Sequence, residues 1–219
     1  MKVTKILFLI LAIICCIASD CDNDNDKPTY YLDHEIYDYI LFPLGSYWVY
    51  KDSATSLIVD SVNLIWQEIK NGGKSYEPFK YEFFNQIKYS LYLDSIFFCS
   101  GTAYTYEVDK TCIYTEKGIT QFFSQKKVGD IIYSNDLLYE NYLDSLMIGQ
   151  NTFYKVKIFK FINGNIENYK RIYWAYNVGI IKREFEDGTI WILEKYFINK
   201  LSSFTRLFMK TWIFILLQR

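Results

Sequence analysis

Between residues 42 and 198 the chain runs in short apolar stretches that alternate with polar positions and break at Gly-, Asn- and Asp-bearing turns. A two-residue period of this kind marks strands with one buried face. Strands are expected over residues 47–51, 56–69, 79–84, 87–99, 104–108, 111–115 and 119–124, with Asn71-Gly72-Gly73 as a hairpin turn. The return strand sets Phe79, Tyr81 and Phe83 against Lys80, Glu82 and Phe84, which predicts the first set inward. The second half repeats the style. Tyr154, Val156 and Ile158 alternate with Lys155 and Lys157, Asn163-Gly164-Asn165 turns, and strands follow over 169–174, 179–185 and 189–198. The best helix candidate is 134–147, with Asn135 as cap and Leu138, Tyr142 and Leu146 in register, and 144–148 reads alternatively as strand. Residues 29–41 form either a short helix capped by Asp33, with Ile36, Tyr37, Ile40 and Leu41 on one face, or an irregular lead-in. The expected fold is mainly β: an antiparallel sheet of about ten strands, as an open barrel or a sandwich, with little helix.

Two halves echo each other. Gly45 precedes Asp60-Ser61 by the same spacing that separates Gly129 from Asp144-Ser145, and each Asp-Ser leads through apolar residues and a Gly turn into an alternating strand. The pattern suggests an internal duplication in which 45–84 matches 129–161.

Residues 1–26 change the picture from fold to address. Lys2 and Lys5 precede an apolar run over residues 6–17, which is a signal-peptide pattern and too short for a membrane span. Cys15, Cys16 and Cys21 end the run, and Cys21 opens the acidic stretch Cys21-Asp22-Asn23-Asp24-Asn25-Asp26. Cys21 is the expected lipidation site, with Cys16 as the alternative. Lipidated Cys21 leaves Cys99 and Cys112 as an even pair, whereas Cys16 would leave an odd thiol in an oxidising compartment. The expected organisation is a signal over 1–20, a lipid-anchored linker over 21–41, a β domain over 42–198 and a tail over 199–219. A helix in that tail would carry Phe204, Leu207, Phe208 and Ile215 on one face, and Trp212 opens its most apolar run, which is too short to span a bilayer.

Composition narrows the partners. Removing a leader with two Lys and one Asp leaves 22 basic and 24 acidic residues, so no basic field exists to attract nucleic acid. Aromatic residues make up 20% of the chain, which suits half-buried sheet surfaces. Trp48, Trp66, Trp174 and Trp191 are candidates for lining a groove that takes a glycan or an apolar ligand. Cys99 and Cys112 are expected to form a disulfide across a short hairpin, adding about 3 kcal/mol.

Catalytic signals are sparse. His34 is the sole histidine and reads as a surface residue, so a two-histidine zinc motif is excluded. Gly73-Lys74-Ser75 lacks the earlier glycine of a phosphate loop, since Glu68 stands there. No catalytic residue, metal ligand or cofactor is assigned. The runner-up is a glycosidase-like hydrolase that pairs carboxylates among Asp60, Asp144, Glu184, Glu186 and Asp187.

Phe42-Pro43-Leu44-Gly45-Ser46-Tyr47-Trp48-Val49-Tyr50 and Val178-Gly179-Ile180-Ile181-Lys182-Arg183-Glu184, followed by Trp191, resemble the opening and closing phrases of a broad set of secreted Bacteroidota lipoproteins. The opener is one residue short before Gly45. The resemblance covers residues 42–198 and implies a secreted β-rich domain without catalytic residues to carry over. The expectation is a lipoprotein anchored by its N-terminal lipid in the outer membrane, on the periplasmic face or cell surface. Its domain would be a non-catalytic binding or structural module, with a glycan, an apolar ligand or an envelope protein as partner.

Overall fold

Alternating sequence becomes one large curled sheet. The computed structural model describes residues 29–72, 80–91, 95–106, 109–116, 119–124, 126–131, 137–162 and 168–199. Its elements are β1 (Thr29–Tyr30), α1 (His34–Tyr39), β2 (Tyr47–Asp52), β3 (Ile58–Gly72), β4 (Lys80–Ser90), β5 (Ser95–Tyr106), β6 (Asp109–Glu116), β7 (Ile119–Phe123), β8 (Leu137–Ile148), β9 (Asn151–Phe161), β10 (Tyr169–Ala175), β11 (Gly179–Phe185) and β12 (Ile190–Phe197). The fold is mainly β, as the alternation implies. The sheet order is β7-β6-β5-β4-β3-β2-β12-β11-β10-β9-β8, and β1 adds a short parallel pairing to β4. Two meanders, β2–β7 and β8–β12, are thus joined where the last strand pairs with β2. The path does not close into a barrel; β7 and β8 are its edges.

The curl buries aromatic side chains from both meanders against each other. Phe122 of β7 is fully buried, and its ring lies 5.3 Å from Phe159 of β9, 5.4 Å from Trp174 of β10 and 5.3 Å from Tyr39 of α1. Burial of such rings supplies most of the favourable term, at roughly 25 cal/mol per Å² of apolar surface.

The two meanders share one turn-and-bulge pattern, in a different register from the one the Asp-Ser pairs suggest. Gly45 N–H donates to Leu64 O and Leu64 N–H to Ser46 O; Gly129 N–H donates to Tyr139 O and Tyr139 N–H to Asp130 O. Both glycines end a turn at positive φ, 82° and 99°. In both turns the next residue's N–H returns to the carbonyl two residues before the glycine, Ser46 to Pro43 and Asp130 to Lys127. A β-bulge then follows in each strand, between Leu64 and Trp66 and between Tyr139 and Asn141. Leu64 therefore corresponds to Tyr139. Asp60 precedes the first landmark and Asp144 follows the second, so the two Asp-Ser pairs are not equivalent.

The lead-in belongs to the domain. Asp33 caps α1 by accepting from Glu35 N–H at 2.7 Å, and Ile36, Tyr39 and Ile40 are buried while Tyr37 is exposed. The expected linker over 21–41 thus ends before Thr29. Position-equivalent residues of the two meanders grip α1. Gln86 donates to Ile40 O at 3.4 Å, and Lys157 meets Glu35 at 2.6 Å. The Tyr39 hydroxyl donates to Lys155 O, and Asn177 N–H to Asp38 O.

Three expectations fail on strand geometry. The predicted helix over 134–147 overlaps β8, whose residues pair with β9 from Leu137–Phe161 to Ile148–Asn151. The bulge at Glu140 breaks the period of two, so partly buried Leu143 and Leu146 follow Tyr139 at helix-like spacing. On β4 the inward row is Phe84, Gln86, Lys88 and Ser90, which leaves Phe83 on the other face; Phe79 lies outside the described residues. On β9 Lys157 is buried, because positive φ at Lys155 interrupts the alternation. The 73–75 loop lies outside the described residues.

Gly179 lies at φ 95°, and a Cβ there would stand 3.1 Å from Phe42. Gly188 lies at φ 88° with nothing within 4 Å. Both alanine variants carry backbone strain of about 1 kcal/mol. Urea unfolding is expected to show Gly179→Ala as the more destabilising, because only that methyl group also displaces a core ring.

Candidate functional site

The candidate tryptophans do not share a groove. Trp48 and Trp174 are core residues, 5% and 2% exposed. The Trp48 indole donates to Val178 O at 2.6 Å and packs edge-on against Phe42. Trp191 is half-buried beside Phe185, at 4.8 Å between rings. Trp66 pairs with Ile87, whose side chain lies on the opposite face of β4 from the buried row, so Trp66 is on the outside of the sheet.

Two concavities lie among the described residues that bear on a ligand site. Trp48, Trp174, Tyr50, Lys88 and Arg183 help to line an interior cavity of about 20 Å³. That holds about one water molecule and is far below the several hundred cubic ångströms of a small-molecule site. A surface cleft of about 480 Å³ lies between the β8–β9 turn (Gly149, Gln150, Asn151) and Ile192–Glu194 with Lys51. Lys51 and Glu194 form an ion pair across its floor at 2.5 Å.

The sequence missed a polar constellation on the outer face of β8–β11. Arg171 holds Glu140 through two bonds of 2.6 and 2.9 Å, and reaches Glu184 at 3.3 Å. The Tyr173 hydroxyl donates to Glu184 at 2.8 Å, and Lys182 pairs with Glu184 at 2.6 Å. Arg171 bonding holds the Glu140 carboxyl below the usual range. For Glu184 burial pushes upward, yet bonds from Lys182, Tyr173 and Arg171 win and its carboxyl is also held low. Burial first, then Glu184, pushes the Tyr173 phenol up. Two carboxylates kept ionised, Glu140 by Arg171 and Glu184 by Lys182, Tyr173 and Arg171, suit structure better than general-acid chemistry. The signal was present as Arg171 and Glu184 on adjacent strands, but Glu140 enters only through its bulge.

The other carboxylates are separated. Asp60 is buried on the inner face and accepts from the Ser90 hydroxyl and Ser61 N–H. Asp144 is exposed on β8, and Asp187 is spent on the Thr189 N–H of the β11–β12 turn, next to exposed Glu186. His34 is exposed at the start of α1. No cluster of three or more metal-ligating side chains occurs among the described residues.

The expected disulfide does not fit the ladder. Cys99 lies opposite Glu116, and Cys112 opposite Ala103. The two cysteines are thus four residues apart along antiparallel strands, roughly 13 Å, whereas a bridge needs Cα atoms within about 7 Å. Cys99 is instead a buried residue facing Gln86. Cys16 and Cys21 lie outside the described residues.

No protein-family model matches the chain, and neither a curated protein nor a solved structure matches it.

Two measurements follow from this geometry. A non-reducing digest is expected to contain no peptide linking Cys99 to Cys112. For pH, both Glu140 and Glu184 have folded pKa values below their unfolded ones. Their contribution is complete above the unfolded carboxyl range and is lost as pH falls through the folded values. Melting temperature is therefore expected to fall more steeply with acidification in the natural chain than in Arg171→Met, read by circular dichroism from pH 7 to 3.

Proposed function

We propose that this chain is a cell-envelope lipoprotein: an N-terminal lipid on Cys21, a short acidic tether and a non-catalytic β domain that binds a partner or serves a structural role. One observation carries the reading beyond the leader sequence. The described fold begins at Thr29, where β1 pairs with β4 and Leu32 N–H donates to Glu82 at 2.9 Å. Only residues 22–28 then separate Cys21 from the domain. Eight residue steps reach at most about 29 Å, so the tether would hold the domain close to the lipid surface. Several acyl chains on one cysteine make such anchoring stable, where a single chain does not.

The small volume beside Trp48 and Trp174 favours a partner met on the outer surface over an apolar ligand held there. The neighbouring Glu140 and Glu184 carboxylates are both held ionised and occupied by Arg171, Lys182 and Tyr173, which favours a binding or structural role over glycoside hydrolysis, where one carboxyl group must carry a proton. Location in the outer membrane, on either face, follows from the same reading.

Metabolic labelling with a tagged fatty acid, followed by membrane fractionation, tests the anchor. The natural chain is expected to take up label and stay with membranes; Cys21→Ser is expected to lose both. Label retained by Cys21→Ser and lost in Cys16→Ser would move the lipid to Cys16. An unlabelled natural chain would end the lipoprotein reading.

A further inference from the structure

The two meanders differ at equivalent places on their outer faces. In the second, the row Asn141–Ile158–Tyr173 runs beside the Glu140–Arg171–Glu184 network. In the first, the equivalent row is Trp66–Ile87–Phe98, and the bulge residue matching Glu140 is Ile65. Ile65, Ile96 and Phe98 are 50%, 60% and 70% exposed. A neighbouring row continues the surface across five strands by direct pairing: Phe197, Tyr47, Asn63, Tyr89 and Ile96. Tyr47 stacks on Phe197 at 5.7 Å between rings, and Phe197 is itself exposed. Sheet faces turned to solvent are normally polar, and a contiguous apolar patch marks a place where something binds.

The described residues end at the edge of that patch. Asn199 N–H donates to the Ser46 hydroxyl, and its side-chain amide donates to Leu44 O. Ser46 and Gly45 are bonded to Leu64, the residue before Ile65 and Trp66. The segment that follows, 200–219, carries Phe204, Leu207, Phe208, Trp212, Ile215 and other apolar residues, four basic residues and no acidic one. We infer that this C-terminal segment docks on the outer apolar patch of β3–β5 and covers Ile65, Trp66, Ile96 and Phe98.

Length and concentration favour this occupant. From Phe197 on β12 to Ile96 on β5 is four strand spacings, about 19 Å. A thirteen-residue chain from Asn199 to Trp212 has a root-mean-square span of about 20 Å when free. A segment rooted beside its target acts at an effective concentration in the millimolar range, well above that of a second copy in dilute solution. The apolar spacing at 204, 207, 208, 212 and 215 gives one face to lay on the patch and leaves Arg206 and Lys210 off it.

Photo-cross-linking of the full chain in intact cells tests this. A benzophenone amino acid is placed at Phe98 and, in a separate variant, at Ile96, with exposed Lys170 on β10 as control. The expected product is an intrachain link from 98 or 96 to a peptide within 200–219, at monomer mass, with none from 170. Links to a second copy, to lipid or to another protein in place of the tail would overturn the inference, as would absence of any tail link at both positions. The outcome does not depend on which cysteine is lipidated.

Discussion

The seam between the start and the end of the domain holds the rest in place. β12 pairs with β11 only over Lys182–Ile192, Arg183–Trp191 and Glu184–Ile190. Ahead of Lys182, β11 parts from β12 and leaves carbonyls turned inward. Trp48 fills one of these, Val178 O, and the Tyr50 hydroxyl fills another, Ile180 O, at 3.0 Å. Buried indole and phenol donors need such partners, and buried carbonyls need such donors. Arg183 then lies 4.7 Å over the Tyr50 ring, and Gly179 leaves room for Phe42. The two phrases on which the lipoprotein resemblance rests are thus one contact in three dimensions, made by residues 130 positions apart.

A second constraint follows from the first. A sheet this curled has a deep inner face, and the chain fills it with its own N-terminal helix. A one-and-a-half-turn helix is unstable alone, so its stability comes from tertiary contacts. Gln86 and Lys157 meet it from the two meanders, and Lys157 sits within 5.5 Å of the Tyr39, Phe122 and Tyr139 ring centres. A buried charge is tolerable only when paired and cushioned in this way. The polar inner row is therefore a consequence of holding a helix inside a sheet.

Strand existence was legible because it depends on local alternation; strand facing was not. Bulges at Ile65 and Glu140 and positive φ at Lys155 each shift which residues point inward, and no composition signal announces them. That is why β8 imitates a helix, and why Lys157 looked solvent-facing. Register failed for the same reason: counting from Cys99 to Cys112 gives a plausible hairpin, but the β5–β6 pairing is set by its turn. The tryptophans were visible as large aromatic residues, yet whether four of them share a wall depends on strand order, and β12 beside β2 is a long-range fact. The Asp33 cap was visible as one of two readings because its signal lies within three residues, but that the helix packs inside the sheet rather than in a linker was not.

Because β2 and β12 are neighbours at the middle of the sheet, the chain's temporal order and its spatial order run opposite ways. A ribosome or an export channel releases β2 first and β12 last. Every other pairing on the main sheet path is between consecutive strands and can form locally, but the central seam waits until residue 197 has emerged. Such non-local closure slows folding. Under the proposed envelope reading, that delay would keep the half-made chain from locking its core before passage across the membrane is complete.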